Sequence, residues 1–146
     1  MNESAEQVRQ ALSQFLPLLK ALTEEEVAAQ RGQKWSRKEI LGHLIDSAAN
    51  NHQRFVRAQM TDRLVLPGYE QDVWVTLQQY KSRAWQDLLA LWEQYNRHLA
   101  HVMDVIPHGR LGTPCVIGNQ EAVTLEFIMN DYVRHLRHHL DQILAA

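Results

Sequence analysis

Three of the eight histidines in the sequence lie close together near its end, in the stretch DYVRHLRHHLDQI (residues 131–143). His135 and His139 are four residues apart, so on a helix they lie one above the other on the same face. Two imidazoles in that arrangement can bind one metal ion together. His138 is rotated by roughly 80° toward the solvent side of the same helix. The spacing therefore indicates half of a metal site, built by His135 and His139.

A histidine pair of this kind is also common on helices that bind no metal. Zinc and similar ions need at least three protein ligands, with a further position left open when the site is catalytic. Helical periodicity puts His43 on a polar strip beside an apolar face and does not by itself select it as the third ligand. By the same periodicity, the other histidines are more typical of packed or solvated residues. The candidates for a third ligand are His43, His52, His98, His101 and His108.

The length of 146 residues suits one domain with a single core, which we expect to span residues 1–146. Its 45% hydrophobic and 22% charged residues are typical of an ordinary globular protein. The formal charge is −2 and the basic residues do not cluster, so we expect no nucleic-acid partner. The sequence opens without a secretory signal and has no apolar stretch long enough for a bilayer, so we expect a cytoplasmic protein without a membrane partner.

Cys115 is the only cysteine, so neither an internal disulfide nor a thiolate zinc cluster can form within one chain. Any metal site must then be built from histidines and carboxylates. No partner base for Cys115 can be identified, and an inert thiol that packs a loop is the simplest interpretation. Trp35 and Trp92 are most simply core residues.

Apolar residues recur at helical spacing in four segments, which predicts an antiparallel four-helix bundle. Pro17 is expected to bend or interrupt the first helix, and Thr23 to begin a short new one. The second helix starts with the capping-box sequence SRKE, and Thr124 caps the last. The segment TPCVIG is the one candidate for a short extended piece. The first three predicted helices cover residues 3–21, 36–60 and 76–106, with loops at 66–74 and 107–121.

Three segments in this order are similar to one known family. They are KWSRKEILGHLIDSAANNHQRFVRA (34–58), LPGYEQDVW (66–74) and TLEFIMNDYVRHLRHHLDQI (124–143). Together they resemble the DinB/YfiT-like superfamily of metal-dependent enzymes over nearly the whole chain. The resemblance implies an all-α fold: an up-down-down-up four-helix bundle with long crossover loops.

The resemblance also implies a mononuclear site with one divalent ion per chain, nickel, zinc or iron. Its ligands would be one histidine of the second helix and two of the last. Carried onto this sequence they are His43, His135 and His139, and all three positions are histidine. Some members of the family have another histidine where this chain has Gln142.

Further candidates surround these ligands in the sequence. Asp46, Asp131 and Gln142 lie one helical step from a ligand, where they could orient an imidazole or a bound water, although solvated helix faces explain the two acids equally well. The loop segment could line a substrate pocket with Tyr69 and Trp74. A carboxylate there, Glu70 or Asp72, could serve as a general base. The alternative is a loop that is simply anchored by its aromatic residues.

Members of the resembling superfamily include S-transferases that use bacillithiol, mycothiol or glutathione, and others that are regarded as hydrolases. We therefore expect an enzyme that acts on a small-molecule substrate, with S-transfer slightly favoured over hydrolysis and a low-molecular-weight thiol as cosubstrate. The alternative is a non-catalytic, stress-associated metal-binding bundle or partner-binding module. Amphipathic first and third helices lead us to expect a homodimer.

Overall fold

The computed structural model describes residues 2–145, and 71% of these residues are helical. Among these residues no helix combines the length and apolarity that crossing a bilayer requires. The α-helices are α1 (Glu3–Lys20), α2 (Glu24–Ala28), α3 (Arg37–Arg57), α4 (Gln71–Gln78), α5 (Trp85–Val105) and α6 (Leu125–Leu144), and the strands are β1 (Leu64–Leu66), β2 (Pro114–Ile117) and β3 (Val123–Thr124).

Helices α1, α3, α5 and α6 form the predicted four-helix bundle. α1 packs against α5 and α6, and α3 packs against the same two helices, so each helix buries its apolar stripe against two neighbours. Long crossovers join α3 to α5 and α5 to α6, which gives the up-down-down-up order of the predicted family fold. Trp92 and Phe55 are among the largest fully buried side chains, and the prediction of Trp92 as a core residue is confirmed.

Three of the predicted helix starts have the predicted chemistry, and the first is Thr23, which begins α2 with a capping box to Glu26. The Ser36 side chain accepts a hydrogen bond from the Glu39 N–H, and the Glu39 carboxylate accepts one from the Ser36 N–H. This capping box satisfies backbone donors that would otherwise lack partners. Thr124 caps α6 through the Phe127 N–H. These local caps fix where α3 and α6 begin, and therefore the heights at which their histidines lie.

The prediction of one continuous helix over residues 76–106 is wrong in its first part. Gln79 adopts a left-handed conformation with φ 49°, which ends α4 and separates it from α5. α5 starts at Trp85, whose N–H donates to the carboxylate of Glu24 in α2. Because this cap is supplied from a distant part of the chain, no local sequence signal marks the start of α5.

Pro17 does not interrupt the first helix. α1 continues through Pro17 to Lys20, and the Pro17 carbonyl accepts a hydrogen bond from the Ala21 N–H. A proline removes the N–H that would bond to the Ser13 carbonyl and crowds that carbonyl, yet α1 continues for three more residues. The predicted interruption is therefore wrong, whereas the predicted bend at Pro17 stays a prediction.

A small three-stranded sheet joins the two crossovers. β1 pairs in parallel with β2, and β2 pairs antiparallel with β3. The predicted extended piece TPCVIG is confirmed as β2, whereas β1 and β3 carry too few residues to give a pattern. Cys115 on β2 is fully buried, and burial raises the pKa of its thiol, as fits the predicted loop-packing role.

Candidate metal centre

The bundle brings His43 of α3 together with His135 and His139 of α6. The Nε2 atoms of His43 and His135 are 3.1 Å apart, and one ligand atom from each ring lies within 4.8 Å of the other two. His43 is fully buried, and the two α6 histidines are half-buried. Of the five histidines that the sequence left open as third ligand, the fold selects His43.

The donor set suits a divalent transition-metal ion. Two nitrogens bound to one ion at about 2.0–2.1 Å are about 2.9–3.4 Å apart for bond angles between roughly 90° and 109°. The separation of 3.1 Å between His43 and His135 falls in that range. Within residues 2–145, no fourth His, Cys, Asp or Glu joins the cluster. Three imidazoles suit zinc, nickel or iron and leave at least one coordination position for another ligand.

All three imidazoles favour the neutral form, which is the form that binds metals. Burial lowers the pKa of His43 to about 3, assisted by the neighbouring rings of His135 and His139. Burial also lowers the pKa of His135 to about 4, with a further contribution from His139. The pKa of His139 is lowered by burial and partly restored by its hydrogen bond to Gln142.

Gln142, a predicted supporting residue, forms a hydrogen bond with His139. The Gln142 Oε1 atom lies 2.7 Å from His139 Nδ1, so Nδ1–H is the donor and the Nε2 lone pair is left free. His43 is held differently, because its Nδ1 atom has no hydrogen-bond partner within residues 2–145. Trp35 packs beside it instead, with 4.9 Å between the ring centroids. Trp35, predicted as a core residue, is half-buried and forms part of the histidine cluster.

The Asp46 side chain forms its hydrogen bonds with Tyr80 and Gln78 and, among the described residues, none with the histidines of the cluster. Its Oδ1 atom accepts hydrogen bonds from Tyr80 Oη at 2.6 Å and from Gln78 Nε2 at 2.8 Å. Burial raises the pKa of this carboxyl group more than these hydrogen bonds lower it. The Tyr80 ring lies directly against Gly42, where a Cβ atom would overlap it. Asp46 therefore anchors the segment between α4 and α5 to α3, next to His43.

Sequence reasoning missed Tyr80 and Gln78 as supports of the site. Both lie in the range 76–106 that was predicted to be one continuous helix, so no local pattern distinguished them. Gly42 offered one usable signal. A glycine inside a helix costs stability, so its presence indicates that another group packs closely against the backbone there. At Gly42 that group is the Tyr80 ring.

A cavity of about 500 Å³ opens beside His135. Tyr69 and Asp131 line it, and their roles in binding a substrate and in supporting a ligand stay predictions. Asp131 forms an exposed ion pair with Arg134 and no hydrogen bond to a histidine within the described residues. α3 contributes a row of polar side chains to the same wall: Ser47, Asn51 and Arg54.

The remaining candidates lie outside this cavity. Glu70 and Asp72 are exposed at the start of α4, and neither belongs to the cavity lining. Trp74 stacks edge-on against Tyr69, with 5.3 Å between ring centroids, but it faces a neighbouring groove. A catalytic role for Glu70 or Asp72 stays a prediction that the arrangement does not favour. His138 is exposed, as predicted from its position on the helix.

The sequence profile of the DinB superfamily matches residues 7–143. The chain therefore belongs to the DinB superfamily, and the resemblance noted in the sequence is confirmed. No curated protein matches it in sequence.

Two solved structures share its fold. One is YfiT from Bacillus subtilis, described as a probable metal-dependent hydrolase with an unusual four-helix bundle topology. Its TM-score is 0.84 and its sequence identity 19%, over 97% of this chain and 82% of that chain. The mycothiol-dependent maleylpyruvate isomerase has a TM-score of 0.80 and 12% identity, over 99% of this chain and 60% of the isomerase. At these identities the similarity shows the fold alone.

Proposed function

We propose that His43, His135 and His139 bind one divalent metal ion and that the protein is a metal-dependent thiol S-transferase. The observation that carries this proposal is the convergence of three ligand atoms within 4.8 Å of one another, beside a cavity of about 500 Å³. A divalent ion held by neutral imidazoles keeps its full charge and lowers the pKa of a thiol or water bound to it.

The chain's own residues would have separate tasks. Gln142 fixes the tautomer of His139, and Trp35 restrains the buried ring of His43 by packing. Tyr69 and Asp131 line the space in which a small substrate would lie next to His135. His135 is half-buried and belongs to the lining of this cavity, which gives access to the cluster, whereas His43 on α3 is fully buried.

Hydrolysis is the second candidate activity, supported by the description of YfiT as a probable metal-dependent hydrolase. The thiol-dependent reaction of the maleylpyruvate isomerase supports S-transfer instead. A purely structural or stress-associated metal-binding role would need no substrate-sized space at the centre. The cavity beside His135 therefore favours an enzyme.

The decisive experiment separates the two reactions in one preparation. Metal-free protein is reloaded with zinc, nickel or iron(II) and given low-molecular-weight thiols, including glutathione, with a generic aryl halide electrophile. Parallel samples receive an activated ester without thiol. We expect thiol consumption that requires metal, disappears in His135→Ala and persists in His138→Ala. Ester hydrolysis alone would establish the second candidate, and no metal-dependent turnover of either kind would contradict both.

A further inference from the structure

Arg54 is a half-buried arginine whose charge is not neutralised by an ion pair. It lines the cavity that contains His135, two helical turns along α3 from Ser47. Among residues 2–145 it forms none of the six ion pairs, and its hydrogen bond to Asn51 Oδ1 is long, at 3.5 Å. Glu70 borders a groove on the other side of Arg54, yet the two side chains are not ion-paired.

The partial burial of Arg54 disfavours its charged form. Burial lowers the pKa of Arg54, so removal of the guanidinium from water is not fully compensated by nearby groups. Arg54 and Asp131 are the charged residues of the cavity lining, and the Asp131 carboxylate is already held by Arg134 at 2.7 Å. An arginine in such surroundings offers its donors to a ligand, because a guanidinium remains charged in proteins.

We infer that Arg54 is an anchor for a carboxylate, so that the ligand entering this cavity is a small organic anion. The inference rests on the proposed function in one respect, that the reacting end of this ligand lies at His135. A guanidinium binds a carboxylate through two parallel N–H···O bonds, which fixes orientation as well as charge. Ser47 and Asn51 lie between Arg54 and His43 on the α3 wall and supply further polar contacts.

Helix geometry sets the length of the ligand. Arg54 follows His43 by eleven positions on α3, which corresponds to a rise of roughly 16 Å along the helix. Helical side chains lean toward the N-terminus, and the longer arginine side chain shortens this separation. A ligand with a carboxylate at one end and a reacting group at the other would span the cavity.

The carboxylate could belong to the thiol or to the second substrate, and the test distinguishes the two. Binding is measured by calorimetry to zinc-loaded and metal-free protein. The probes are ω-mercaptocarboxylates of increasing chain length, their ω-mercaptoamide counterparts, and sulfur-free alkyl dicarboxylates given with saturating 2-mercaptoethanol. The variants are Arg54→Gln, Arg54→Lys and the matched control Arg57→Gln, an exposed arginine of α3 outside this cavity lining.

We expect carboxylates to bind more tightly than amides, and Arg54→Gln to weaken carboxylate binding about 10- to 100-fold without affecting the amides. Arg54→Lys should recover only part of the affinity, and Arg57→Gln should match the parent protein. Preference for the mercaptocarboxylates assigns the anion to the thiol, and preference for the dicarboxylates assigns it to the second substrate.

Equal affinities for carboxylate and amide probes would overturn the inference, as would carboxylate binding that Arg54→Gln leaves intact. Measuring binding to the metal-free protein separates the test of the anion site from the test of the proposed function. Arg54-dependent carboxylate binding that persists in a protein unable to hold zinc would support the anion site while contradicting the metal centre. Unchanged far-ultraviolet circular dichroism and melting temperature establish that each variant is folded.

Discussion

The imidazoles of His43 and His135 come from positions 92 residues apart and place their Nε2 atoms 3.1 Å from each other. This contact joins α3 to α6, two helices that pack directly in the bundle. Each ring is fixed by its own helix, and His139 completes the cluster one turn further along α6. The relationship is specific enough to predict how single substitutions affect metal binding.

We expect the purified protein to bind about one divalent ion per chain. His43→Ala, His135→Ala and His139→Ala should each weaken zinc binding by more than about 100-fold, because loss of a ligand exceeds the 10- to 100-fold effect of a supporting residue. His138→Ala is the control, since this exposed ring contacts the His139 ring, with 5.0 Å between centroids, but offers no ligand atom to the cluster. Competition with a chromophoric chelator measures the affinities. Full affinity in His43→Ala would refute the assignment.

Gln142 should contribute to affinity without touching the ion. Gln142→Ala removes the acceptor of the 2.7 Å hydrogen bond to His139 Nδ1, so the ring loses its preferred tautomer and orientation. We expect about 10- to 100-fold weaker zinc binding. Gln142→Glu keeps an acceptor and should retain most of the affinity. Asp141→Asn, an exposed neighbour, should have no effect. Equal affinities for Gln142→Ala and the parent would show that the bond is dispensable.

Gly42→Ala should destabilise the protein, although alanine favours helices over glycine. The added Cβ atom would overlap the Tyr80 ring, whose hydroxyl is tied to Asp46, so the ring cannot move freely. We expect a loss of about 1–3 kcal/mol in the free energy of unfolding. Gly109→Ala meets open space and serves as the control. Urea denaturation measures both, and a neutral or stabilising Gly42→Ala would contradict the packing described.

Asp104 should make stability depend on pH. Burial raises the pKa of Asp104. Hydrogen bonds from Arg9 and the Asn2 N–H, together with the charge of Arg9, lower this pKa by more than burial raises it, so the net shift is downward. A depressed carboxyl pKa stabilises the fold above about pH 4, and this contribution is lost as the pH falls through the folded-state pKa.

Asp104→Asn should therefore be less stable than the parent at pH 7, by up to about 1 kcal/mol because the Arg9 pair is partly exposed. The difference should vanish toward about pH 2, where Asp104 is protonated in both states. Asp62→Asn alters an exposed acid that has no ion pair within residues 2–145 and should show no such trend. A pH-independent difference would mean that Asp104 acts through packing.

Homodimer formation stays a prediction, with α1 and α5 as the proposed interface. These helices expose large apolar side chains, among them Leu18 at 50% and Leu91 at 43%. Sedimentation velocity at micromolar concentration should show a dimer. Leu18→Lys and Leu91→Lys should shift it toward monomer, whereas Leu77→Lys on α4 should not, although Leu77 is 74% exposed. A monomeric parent protein would remove the prediction.

Local chemistry in the sequence determined most of the bundle. The capping box at Ser36, the cap at Thr124 and apolar residues at helical spacing are properties of neighbouring residues, so they predict α1, α3 and α6 directly. The start of α5 was missed because Glu24, distant in sequence, caps it, and Gln79 adopts its left-handed conformation without glycine or proline. Such features depend on tertiary contacts, which override local preference.

The two histidines on α6 followed from the helical repeat alone, since four residues nearly complete a turn. The family resemblance supplied His43, because periodicity left it on a polar strip among five candidates. Only the tertiary structure decided that His43 is buried against His135, that Asp46 bonds to Tyr80 rather than to a histidine, and that Arg54 faces the cavity unpaired. Helix packing brings distant side chains together, and no local spacing encodes which faces meet.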